Sequence, residues 1–84
     1  MGSDGVYANF FAAEGTVSVA VTVSLPWRSR RINVVNDSLS ADFDVTMGGA
    51  SFTLKPTETL SAQFWTTKAV VSGTNTPYRF WAWG

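Results

Sequence analysis

The pattern of apolar and polar positions is clearest over residues 16–25. Val17, Val19, Val21, Val23 and Leu25 alternate there with Thr, Ser and Ala. A period of two in β-branched residues predicts a half-buried strand. Pro26 ends it, because proline cannot donate to a ladder. Arg31–Asn36 predicts a second strand with Ile32 and Val34 inward, and Asn36-Asp37-Ser38 a turn in which Asx side chains bond their own backbone. This triplet also fits the N-x-S glycosylation pattern, and we read it as a turn.

Residues 40–47 predict a third strand with Ala41, Phe43, Val45 and Met47 on one face. Gly48-Gly49 is a tight hairpin turn, returning as a fourth strand over 50–54. Lys55-Pro56-Thr57-Glu58 is a further turn with proline in its favoured second position. A fifth strand spans 58–65, with Leu60, Ala62 and Phe64 opposite Trp65. A short sixth spans 68–71, a polar loop 72–76, and a seventh strand closes the chain. About seven short strands with turns every eight to twelve residues predict an all-β fold, a single small antiparallel β-sandwich. The expected core is Val17, Val19, Val21, Val23, Ile32, Val34, Phe43, Val45, Phe52, Leu54, Leu60, Phe64, Tyr78 and Phe80. Residues 1–15 lack a sustained period and read as an extended N-terminal arm, leaving 16–84 as the sandwich domain. Phe10-Phe11 in that arm either cap the sandwich or lie on a neighbouring subunit.

The closing strand is aromatic on both faces. Tyr78, Phe80 and Ala82 share one side; Arg79, Trp81 and Trp83 share the other. The first set completes the core, so Trp81 and Trp83, joined by Trp65, are expected on an outer surface. Covering each is worth roughly 1.5–3 kcal/mol. Two or three side by side would match the largest apolar patch of an ordinary monomer, ~300–600 Å². A neighbouring copy, another protein or stacked sugar rings would cover them. Alternatively, strand twist tucks them under Phe10 and Phe11.

Composition narrows the chemistry. The 84 residues hold no Cys and no His, which removes disulfides, thiol nucleophiles, the usual general base and the commonest zinc ligand. Six basic residues balance six acidic ones, so no net field draws the chain to nucleic acid or membrane. No apolar run approaches the ~20 residues of a membrane span, and Met1-Gly2-Ser3-Asp4-Gly5 shows no signal-peptide pattern. Asp42 and Asp44 form a close carboxylate pair on a predicted strand, but the solvated polar face of a strand accounts for both. No Ser or Thr has a basic partner at dyad spacing. We expect no enzyme activity and no cofactor. Trp27, Arg28, Arg30 and Arg31 concentrate three basic residues beside an indole. They read as a loop folded over the sandwich end, or as a secondary contact for phosphate or an acidic neighbour.

The segments Asn36-Asp37-Ser38, Asp42-Phe43-Asp44-Val45-Thr46-Met47, Phe52 to Leu60 and Tyr78-Arg79-Phe80-Trp81-Ala82-Trp83 together resemble small β-sandwich virion proteins of tailed bacteriophages. Capsid decoration (cement) proteins and head-fibre or tail-associated modules are of this kind. The resemblance covers residues 31–84 and implies a non-catalytic structural protein of the virion. Such a protein binds the major capsid protein or another virion protein and self-associates as a homo-oligomer. The expected interface is Phe10, Phe11, Trp65, Arg79, Trp81 and Trp83. Two other readings are a carbohydrate-binding module using Trp65, Trp81 and Trp83, and a small nucleic-acid-binding barrel using Trp27 and its neighbouring arginines.

Overall fold

The computed structural model describes residues 9–84. These form eight strands and no helix: β1 (Phe10–Val17), β2 (Ala20–Ser24), β3 (Arg31–Asn36), β4 (Phe43–Met47), β5 (Ala50–Leu54), β6 (Thr59–Ala62), β7 (Lys68–Gly73) and β8 (Thr76–Trp83). They make two antiparallel four-stranded sheets. Sheet A has the order β1-β8-β3-β6, and sheet B the order β2-β7-β4-β5.

The pairings follow one rule. β4 pairs β5, β3 pairs β6, β2 pairs β7 and β1 pairs β8. The chain is therefore one long hairpin whose successive pairs alternate between sheets, joined by β3–β8 and β4–β7. This is the strand order of a jelly roll. The tip of the hairpin is Gly48-Gly49, with φ of 57° and 82°. Two successive positive φ values are what a two-residue type I′ turn requires. The tip rests on Phe64: a Cβ on Gly48 would come within 2.7 Å of that ring.

The inner faces hold Val17, Val23, Leu25, Ile32, Val34, Phe43, Val45, Met47, Leu54, Ala69, Val71, Tyr78, Phe80 and Ala82, all buried. Leu60 and Phe64 pack half-buried against them. Three expected core residues are exposed. The predicted strand over 16–25 is broken by a bend at Ser18-Val19, where the chain crosses from sheet A to sheet B. Val19 turns outward at that crossing and is 79% exposed. Val21 and Phe52 stand opposite the buried Val71 and Val45, so they do face inward. Both belong to edge strands, however, and both are exposed.

Residues 10–15, expected in the arm, are strand residues. β1 pairs β8 along its whole length, from Phe10↔Trp83 to Val17↔Thr76. Residues 1–8 of the expected arm lie outside the described residues. The predicted fifth strand is also shorter, since β6 ends at Ala62 and 63–66 form a loop. A buried hydroxyl holds that loop: Ser29 Oγ donates to Phe64 O (2.6 Å) and accepts from Thr66 N (3.0 Å).

The turn after β3 is held by a buried hub. Asn36 is fully buried; its Nδ2 donates to Ala41 O (2.8 Å) and Leu54 O (2.9 Å), and its Oδ1 accepts from Ser38 N (2.9 Å). That amide is fixed inside the fold, which accords with the turn reading of Asn36-Asp37-Ser38.

Candidate assembly face

The strand alternation of β8 sets the outer face of sheet A. Thr76, Tyr78, Phe80 and Ala82 are buried, and Arg79 is exposed; Pro77, Trp81 and Trp83 lie between. Directly paired residues share a face, so register extends the surface across the sheet. The Trp83 row contains Phe10 and Arg31, the Trp81 row Ala12 and Asn33, and the Arg79 row Glu14 and Val35. Phe10 and Trp83 are in ring contact, with centroids 5.4 Å apart. The expectation that Phe10 covers an indole is met in part, since Trp83 is half-buried and Phe10 itself stays 58% exposed.

Arg79 organises the other half of this face. Its Nε and Nη2 donate to Asp37 Oδ2 (2.7 Å) and Oδ1 (2.9 Å), a bidentate pair. The guanidinium lies 5.3 Å from the Trp81 ring centroid, a cation–π contact. Hydrogen bonding to Arg79 lowers the Asp37 pKa, and the same bond raises that of Arg79, with Asp37 and Glu14 adding Coulombic support. Between Trp81 and β1 is a shallow hollow of ≈ 270 Å³ lined by Ala12, Ala13, Glu14, Arg79 and Trp81. Its open character comes from Ala12, a methyl group where the neighbouring rows carry Phe10 and Glu14.

The remaining expected contact residues divide. Phe11 is on the inner face, with its ring edge-on to Phe80 at 6.4 Å, so it belongs to the core and not to the outer surface. Trp65 is 61% exposed but comes from the loop after β6. It sits at the Trp83 end, where Phe64 N donates to Arg30 O and Arg30 N to Trp83 O. The strand-borne indole row is therefore Trp81 and Trp83, without Trp65. Trp27 packs half-buried against the core, with its ring on the backbone of Gly84. It covers the sandwich end. Arg28 and Arg30 are exposed there, while Arg31 belongs to sheet A and donates to Ser61 Oγ (2.9 Å).

The outer face of sheet B differs in chemistry. Its side chains are mostly short hydroxyls: Thr46 and Ser51 are 2.8 Å apart, and Thr53 donates to Asp44 (2.7 Å). Asp42 and Asp44 line an open hollow beside this face. Among the described residues no cluster of three or more His, Cys, Asp or Glu is placed to hold a metal.

No protein-family profile matches the chain, and no curated protein matches it. Among solved structures it is similar to a de novo designed double-stranded β-helix determined by solution NMR. That likeness has a TM-score of 0.57 at 14% identity and covers 90% of this chain and 97% of the other. It concerns the fold alone, and it agrees with the long wound hairpin described above.

Proposed function

We propose that this chain is a non-enzymatic structural protein of a virion, of the decoration or cement kind. In this reading it attaches to the capsid or tail surface through the outer face of sheet A and also associates with itself. The observation that carries the reading is the outward-facing aromatic group of Phe10, Trp83 and Trp81. The inner positions of the same strands already fill the core, so these rings lie on the outer face, where Phe10 stays exposed and Trp81 and Trp83 are only partly covered by their neighbours. An apolar row beside a fixed Arg79–Asp37 pair has the make-up of an interface centre, where Trp and Arg supply most of the binding energy. The jelly roll is also a fold that viral capsid proteins use, although a fold by itself does not assign a function.

The test is Trp81→Ser combined with Trp83→Ser, assayed by co-sedimentation with assembled shells of the candidate capsid protein. Both indoles are already mostly covered within the domain, so covering what remains of them is worth about 1–2 kcal/mol, and affinity should fall about 5- to 30-fold. A folded double variant that binds shells as well as the parent would refute the reading.

One observation favours a second reading. The hollow at Trp81 is lined by an indole together with a carboxylate and a guanidinium, a suitable seat for one sugar ring in a carbohydrate-binding module. A saturable change in tryptophan fluorescence on glycan titration, absent in Trp81→Ser, would select it over protein assembly.

A further inference from the structure

The four sheet edges are not alike. β2, β5 and β6 are four or five residues long, and Pro26 or Lys55-Pro56 lies close to an end of each. Short strands, lysine and proline are the devices by which edges avoid pairing with other chains. β1 has eight residues, Phe-Phe-Ala-Ala-Glu-Gly-Thr-Val, with no proline, no lysine and no break in its register with β8. Its neighbourhood also holds Phe10, Val19 and Val21, three of the exposed large hydrophobic residues.

The hydrogen-bond phase of this edge follows from its end. Asn9 and Gly84 exchange both backbone bonds, 2.9 Å and 3.0 Å. Antiparallel pairs alternate between bonded and non-bonded. Phe11, Ala13, Gly15 and Val17 are therefore the positions bonded to β8. Thr16 opposite Pro77 falls on a non-bonded pair, as a proline there requires. The N–H and C=O groups of Phe10, Ala12, Glu14 and Thr16 point to the free edge, where no described strand lies beyond β1.

We propose that this edge is the self-association site: β1 pairs antiparallel with β1 of a second copy about a two-fold axis at Ala12. This deepens the assembly reading, on which it rests, by supplying the contact between copies. A two-fold axis presents each edge donor with the same edge's acceptor, so the edge is its own complement. With Ala12 on the axis, Phe10 stands opposite Glu14 of the second copy, and Phe11 opposite the second copy's Ala13. Large side chains then face smaller ones, and the two Glu14 carboxylates are separated by four positions along the strand, about 13 Å. Zero net charge adds no repulsion between copies.

The pairing also joins the two outer faces. Trp81 is opposite Ala12 in its own sheet, so Trp81, Ala12, the second Ala12 and the second Trp81 fall on one line. The two hollows merge into a trough floored by alanine and walled by two indoles roughly 14 Å apart at the backbone.

The experiment uses the full chain. Light scattering should give twice the 9.1 kDa chain mass. Ala12→Pro removes the N–H at the axis but no bond to β8, so this variant should keep its β-sheet circular dichroism and cooperative unfolding while falling to one chain mass. As an independent measure, Ala12→Cys should oxidise to a covalent dimer, because a bonded pair places its Cα atoms ~5.5 Å apart, within disulfide range. The chain has no other thiol, and Thr22→Cys on the outer face of sheet B serves as the control that should not cross-link. A parent protein of single mass at every concentration, a dimer unaltered by Ala12→Pro, or an Ala12→Cys that cross-links no better than Thr22→Cys would each overturn the proposal. If Ala12→Pro fails to fold, the cysteine pair decides. Trp81 and Trp83 are two strands from the second copy. Unchanged shell binding by their serine variants, with the dimer intact, would remove the proposed function and leave this contact standing.

Discussion

Replacing Asn36 by Ala tests the least replaceable polar side chain in the fold. The substitution deletes three hydrogen bonds and leaves the carbonyls of Ala41 and Leu54 and the N–H of Ser38 without their partner. An ordinary hydrogen bond contributes about 1 kcal/mol net, and a buried group left unsatisfied costs about 1–3 kcal/mol. Some relaxation of the turn lowers the sum. We expect a loss of about 3–5 kcal/mol. At about 0.05–0.15 kcal/mol per residue, a chain of 84 residues has only about 4–13 kcal/mol in total. Urea unfolding followed by circular dichroism should show a large fall in midpoint with an unchanged slope. Asn36→Asp should be no more stable than the alanine variant at pH 7, since it sets a buried carboxylate oxygen against the carbonyls of Ala41 and Leu54. A loss below 1 kcal/mol for the alanine variant would show that the turn is not held as described.

Thr57 has φ of 68°, a conformation that is uncommon for a β-branched residue. Thr57→Gly should therefore stabilise the protein by about 0.5–1 kcal/mol and raise Tm by about 2–8 °C; a lower Tm would contradict the turn geometry. Asp37 is held below its ordinary pKa, first by its hydrogen bond to Arg79. Its contribution is thus present above the unfolded carboxylate value, about 3.9, and is lost as pH falls through the lower folded value. Chemical denaturation should show Asp37→Asn less stable than the parent at pH 7, with the gap closing in strong acid. A gap independent of pH would rule out the ion pair as its cause.

Much of the fold is legible in the residues. Alternation at Ile32 and Val34, at Phe43 and Val45, and at Tyr78 and Phe80 places these side chains in the core, because a period of two fixes the face once one residue is known. The Gly48-Gly49 turn is equally plain. Alternation does not reveal a change of sheet. Val17, Val19, Val21 and Val23 keep their period through the bend at Ser18-Val19, although the chain passes there from one sheet to the other. It does not report edge position either, so Val21 and Phe52 have the right face and too little cover. β1 was hidden for a related reason. With Phe10 outward and Phe11 inward, and small residues following, neither face stands out as apolar. On the outer face of sheet A, Trp81, Trp83 and Arg79 follow from alternation alone. The pairing of Phe10 with Trp83 and of Arg79 with Asp37 depends on strand order, which no local pattern encodes.

The central claim is that the outer face of sheet A, not that of sheet B, is the surface this protein uses. Hydroxyl-radical footprinting of the free protein and of the shell-bound protein, read by mass spectrometry, addresses it directly. Strong protection of Phe10 and further protection of the partly covered Trp81 and Trp83 are expected on binding, with Val70 and Lys68 on the outer face of sheet B unchanged. Protection of sheet B with the tryptophans still reactive would contradict it.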